Sequence, residues 1–152
     1  MRVGNFLRIL IIALALSGYS AWSLAVREKP AAPPAPERFV VDIPLLRLAD
    51  AKALWHNRAT LFVDVRSRFD FEEGHVAGAI NIPYEEIEQR LPALKPRLER
   101  AEALVVYCKS TDCGKSLWSA IRLRQEGLQR TRIYPEGWNE WSTSGLPTAR
   151  SG

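Results

Sequence analysis

At 152 residues, with 47% apolar and 25% charged residues, the chain has the size and balance of one globular domain, which excludes a wholly disordered polypeptide. Its 21 basic and 17 acidic residues give a formal charge of +4, and about +2 once Arg2 and Arg8 are set aside as flanks of an N-terminal apolar run. With no basic stripe carrying interleaved aromatics, this argues against a nucleic-acid partner.

In chain order, Ile9 to Val26 runs without a charge, with Arg2 and Arg8 before it and Arg27, Glu28 and Lys29 after it. A basic start, an apolar stretch and then small residues are the pattern of a signal peptide, while the length is close to that of a spanning helix. Residues 1–26 are therefore expected to be a signal peptide or an N-terminal membrane anchor. Either way the rest of the chain is exported, with the N-terminus inside and the domain on the periplasmic side of a bacterial-type inner membrane. Residues 27–38 form a Pro/Ala-rich linker whose Pro30 to Pro36 stretch suits a stiff, extended spacer holding a domain away from a membrane surface.

The folded domain is expected over 39–149. Apolar residues at helical spacing after Pro44 predict a helix from Leu45 to Asn57. Leu61 to Val65 and Leu104 to Tyr107 are short apolar runs that suit buried parallel strands, and Ile80 to Ile82 and Arg132 to Tyr134 are weaker strand candidates. Helical stretches lie between them at Tyr84 to Leu91, at Ala93 to Arg100 beyond a break at Pro92, and at Lys115 to Glu126 before Gly127. Strands alternating with helices predict an α/β fold, a three-layer sandwich with a central, mainly parallel sheet, in which sites sit at the carboxyl ends of strands.

That rule selects Cys108, the first residue after the Leu104 to Tyr107 strand. A thiol there faces a loop feeding a helix N-terminus, where backbone N–H groups and the helix dipole favour thiolate, the nucleophilic form. Lys109 and Lys115 add positive charge and Asp112 opposes it. The other cysteine, Cys113, lies in the same loop, so both point to chemistry at one place. Whether they form a disulfide is open at this stage, because pairing needs Cα atoms closer than about 7 Å and converging side chains.

Val63-Asp64-Val65-Arg66, Phe69-Asp70-Phe71 and Gly74-His75-Val76-Ala77-Gly78-Ala79-Ile80-Asn81-Ile82-Pro83 resemble the first signature of rhodanese-like domains. Val105-Val106-Tyr107-Cys108 resembles their active-site strand, and Gly137-Trp138-Asn139-Glu140-Trp141 with Gly145-Leu146-Pro147 resembles their C-terminal signature. The resemblance spans Phe39 to Pro147. It implies an α/β fold and an enzyme, a sulfurtransferase or persulfide carrier, in which catalytic Cys108 accepts a sulfane sulfur as a persulfide and passes it to a thiol or other nucleophile. A small sulfur-containing donor and a thiol acceptor are the implied partners, and no cofactor is implied; the expected compartment adds a periplasmic thiol reductant, and the N-terminal segment adds the inner membrane. An anionic persulfide needs a cradle of N–H donors free of bulky side chains, and Lys109, Ser110, Thr111, Asp112, Cys113, Gly114, Lys115 and Ser116 form the candidate cradle. One departure stands out: this loop is two residues longer than the family's usual one, and Cys113 stands where the shorter loop has its basic residue.

Asp64 and Arg66 are expected to brace a neighbouring strand end. His75, between glycines, suits a structural hydrogen bond, and Trp138 and Trp141 suit core packing. Cys108, Cys113, His56 and His75 lack the spacing of a zinc site, so no metal is expected. Three other functions compete: a cysteine-dependent phosphatase or arsenate reductase, which shares the longer loop; a thiol oxidoreductase cycling Cys108 with Cys113; and a non-catalytic rhodanese-like binding module.

Overall fold

The computed structural model describes residues 42–151; the expected signal or anchor segment and the Pro/Ala linker lie outside the described residues. Among the described residues no helix is long and apolar enough to cross a membrane. In chain order the elements are α1 (Leu48–His56), β1 (Thr60–Asp64), α2 (Arg68–Glu73), β2 (His75–Val76), β3 (Ile80–Asn81), a 3-10 turn (Tyr84–Glu86), α3 (Ile87–Glu99), β4 (Ala103–Tyr107), α4 (Lys115–Gln125), β5 (Thr131–Tyr134), α5 (Gly137–Thr143) and β6 (Thr148–Ala149).

The central sheet has the order β3-β1-β4-β5 and is parallel throughout, while β2 and β6 make a separate antiparallel pair. Parallel strands buried on both faces read as continuous apolar runs, and β4 is buried at all five positions. Side chains alternate between two cores. Val63, Val65, Leu104, Val106 and Cys108 pack with Ile87, Leu91 and Leu98 of α3 and Ala120 and Leu123 of α4. Phe62, Val105, Tyr107 and Tyr134 pack on the opposite face with Ala51 of α1 and Trp141 of α5. The result is the expected three-layer α/β sandwich.

Three helix boundaries differ from expectation by more than a residue. The helix expected from Tyr84 opens as a 3-10 turn at Tyr84–Glu86 and becomes α-helical only at Ile87. The first helix starts at Leu48, not Leu45, because the backbone at Pro44 to Leu46 adds to the sheet edge: the Ile133 N–H donates to Pro44 O at 2.9 Å and the Leu46 N–H to Ile133 O at 2.7 Å. The break expected at Pro92 is also absent, since α3 runs through Pro92 and Pro96. Each proline removes one helical N–H, but both lie on the exposed face one turn apart, and Glu88, which loses its donor to Pro92, is exposed as well.

Candidate active site

Cys108 follows β4 directly. In the parallel register Asp64 of β1 stands beside Tyr107, and the Val65 N–H donates to Tyr107 O at 3.1 Å, so the carboxyl ends of β1 and β4 form one edge. After β1 the chain leads to β3 on one side, and after β4 to β5 on the other. Cys108 thus sits at the point where strand connections diverge, the usual place for a site in a parallel sheet.

The sequence leaves the pairing of the two cysteines open; in the structure Cys108 and Cys113 are joined in a disulfide, their Cα atoms 6.2 Å apart. In this state Cys108 has no free thiol and needs reduction before it can act as a nucleophile. Its side chain points into the α3/α4 core and is 2% exposed, whereas Cys113 is half-buried.

The expected cradle residues are gathered in one turn between β4 and α4. The Cys113 N–H donates to Ser110 O at 3.0 Å, which leaves Thr111 and Asp112 exposed at the tip. Gly114 leads into α4; Lys115 is its first residue, and buried Ser116 directs its hydroxyl to Cys113 O at 3.4 Å. Lys115 does not supply a free positive charge. Its ammonium lies 2.5 Å from Glu85 Oε1, and this contact holds the Glu85 carboxyl below the usual carboxylate range. A tetrahedral oxyanion, as a phosphatase or arsenate reductase requires, would meet no arginine fork here, only an ammonium already engaged.

Asp64 and Arg66 brace the expected strand end, on the sheet face opposite Cys108. Arg66 Nη2 donates to Asp64 Oδ2 and to Gly74 O, both at 2.6 Å, and its Nε reaches the Asp64 carboxylate at 3.0 Å. The guanidinium lies 4.9 Å from the centre of the Trp138 ring and 6.0 Å from that of Tyr107. The Tyr107 hydroxyl accepts from the Val76 N–H at 3.1 Å, and burial followed by the neighbouring Asp64 carboxylate pushes its pKa well up. His75 is structural: its Nδ1 donates to Phe71 O at 2.7 Å while its ring stacks on Phe71.

Four residues have roles that the sequence reading does not assign. Glu85, from the turn before α3, neutralises Lys115 across the fold. Tyr107 ties β4 to the Gly74–Val76 segment. Gly137 and Trp138 hold the backbone of Cys108, as the Trp138 N–H donates to Cys108 O at 2.9 Å and the Asn139 N–H to Lys109 O at 3.0 Å. Gly137 has φ +62°, and a Cβ there would run into the Cys108 carbonyl. Trp138 therefore does more than fill a core, unlike Trp141, which is fully buried with its Nε1–H on Pro147 O at 2.9 Å. The glycine before the tryptophan in the C-terminal signature was the available signal for this contact.

Residues 48–144, well over half of the chain, match the Rhodanese-like domain family. The chain belongs to that family. Among related proteins, the human thiosulfate:glutathione sulfurtransferase is 37% identical over 113 residues, covering 66% of this chain and 90% of the human protein. An HTH-type transcriptional regulator of Mycobacterium tuberculosis is 32% identical over 112 residues, covering 74% of this chain; the chain spans 45% of the regulator's length. Among solved structures, a rhodanese-related protein from Thermoplasma volcanium superposes with a TM-score of 0.55 at 29% identity, covering 65% of this chain and 93% of that one. The matched span takes in Asp64 to Arg66, the β4 to α4 turn and α5.

Proposed function

We propose that this rhodanese-like domain is a sulfurtransferase or persulfide carrier. In its reduced form Cys108 attacks the sulfane sulfur of a small donor, expels the donor's leaving group, and holds the sulfur as a persulfide for a thiol or other nucleophile. With thiosulfate the leaving group is sulfite. The observation that carries this reading is the place of Cys108: the first residue beyond β4, at the divergence of the strand connections and before the amino end of α4, whose dipole favours an anionic sulfur. The sulfurtransferase among the relatives supports the same chemistry. Mass spectrometry of the protein, reduced and then treated with thiosulfate or glutathione persulfide, tests it. A gain of one sulfur atom on Cys108 is expected, and a Cys108 that gains none from either donor overturns the reading.

The domain works on this reading at the periplasmic side of an inner membrane, where a thiol reductant of that compartment keeps Cys108 available. Support comes from the uncharged Ile9 to Val26 run with Arg2 and Arg8 ahead of it. A reporter fused after Gly152 is expected to be active only outside the cytoplasm; cytoplasmic activity of the full-length fusion overturns the placement.

A further inference from the structure

We infer that Cys113 is an internal acceptor for the sulfur held by Cys108, releasing it as hydrogen sulfide, so that the domain acts as a dithiol-dependent reductase of sulfane sulfur. This rests on the persulfide reading above and names what happens to the persulfide next.

The bond between the two Sγ atoms carries the inference. It shows that the Cys113 sulfur reaches Cys108 Sγ, the inner sulfur of a Cys108 persulfide, with the ends of the turn 6.2 Å apart. Attack of the Cys113 thiolate on that sulfur forms the Sγ–Sγ bond and breaks the bond to the outer sulfur, which takes a proton from solvent and leaves as hydrosulfide with the electron pair. Attack on the outer sulfur would instead move the persulfide to Cys113 and leave the two Sγ atoms unbonded. The turn favours the internal route: the Cys113 N–H on Ser110 O holds this residue within reach, so the second thiol is tethered beside the persulfide and no external thiol has to enter the site.

Each step balances. Thiosulfate and the Cys108 thiolate give the persulfide and sulfite. The persulfide anion, the Cys113 thiolate and one proton from solvent give the disulfide and hydrosulfide. A dithiol then reduces the disulfide, becomes a disulfide itself, and returns both cysteines as thiols, so two electrons from the dithiol reduce one sulfane sulfur to sulfide.

The burial of the two cysteines sets the direction of reopening. Cys108 is 2% exposed and Cys113 is half-buried on the turn, so an incoming thiolate meets the Cys113 sulfur. Cys108 is then the leaving group. It departs as thiolate before the amino end of α4, where the helix dipole favours the anion, and is regenerated in its reactive form.

A single-turnover experiment with the full chain tests this. Reduced wild type, freed of reductant, is mixed with one equivalent of thiosulfate or glutathione persulfide, and sulfide, free thiols and intact mass are followed. Wild type is expected to release one sulfide per protein and lose both thiols to the disulfide. Cys113→Ser and Cys113→Ala are expected to release none and to accumulate the Cys108 persulfide. Wild type that accumulates a stable persulfide on either cysteine, or variants that release sulfide as fast as wild type, overturns the internal step and leaves the persulfide reading standing. If no protein gains sulfur from either donor, the persulfide reading fails and the internal step falls with it.

Discussion

The two faces of the sheet edge beside Cys108 are held together in opposite ways. On one face Asp64, Arg66, Tyr107 and Trp138 make a knot of buried polar and aromatic groups in which the Arg66 guanidinium meets a carboxylate, a carbonyl and two rings. On the other, the turn from Cys108 to Gly114 has an exposed tip and is closed by one backbone hydrogen bond and a disulfide that two electrons open. Permanent interactions fix where the Cys108 backbone lies, and the bond that reduction opens is confined to the turn.

The largest effect comes from breaking the knot. Arg66→Ala strands a fully buried Asp64 without its cation, and losing one partner of a buried pair costs about 3–5 kcal/mol. A large fall in the midpoint of chemical denaturation is expected; a variant within experimental error of wild type would show that the knot is not what holds the edge. Gly137→Ala acts where α5 touches the Cys108 backbone. A left-handed φ alone costs a non-glycine residue roughly 1–3 kcal/mol, and the Cβ also displaces the Cys108 carbonyl, so lower stability and slower sulfur uptake are expected together. Stability loss with unaltered uptake kinetics would separate α5 from the site.

The fold was legible where burial leaves a long signal. β1 and β4 are apolar runs because both of their faces are covered, and α4 closes at Gly127 as its sequence indicates. β2 and β6, two residues each, carry no period to read, and α3 is legible as two helical stretches but not as one helix, because its exposed face tolerates the proline between them. Within the site, Cys108 and its turn follow from the end of an apolar strand before a helix. The Lys115–Glu85 pair and the Gly137 contact do not, because each joins segments far apart in sequence, and cysteine spacing alone cannot say whether two sulfurs converge.

Smaller effects sharpen the contrast from the side of the turn. Reducing the disulfide releases a loop with a sequence separation of 5, and the chain-entropy estimate for so short a loop is roughly 2 kcal/mol at most. The reduced protein is therefore expected to stay folded, with a modestly lower melting temperature in reductant; global unfolding on reduction would make the bond structural. Lys115→Ala removes a half-exposed ion pair, typically worth about 0–1 kcal/mol, so little change in stability and a mild slowing of sulfur uptake are expected. Because Lys115 lowers the Glu85 pKa, whatever the pair contributes is present above the ordinary carboxylate pKa and is lost as pH falls through the lowered value. The difference between wild type and Lys115→Ala should shrink on acidification, and a difference that grows would contradict the pairing.

The central claim, that Cys108 alone takes the sulfur from the donor, is tested most directly by the Cys108→Ser variant in an assay of sulfur transfer from thiosulfate or glutathione persulfide, with dithiothreitol present. Transfer is expected to fall to the uncatalysed rate, because serine at the end of β4 cannot form a persulfide. Transfer at the wild-type rate would contradict the account and move the chemistry away from Cys108.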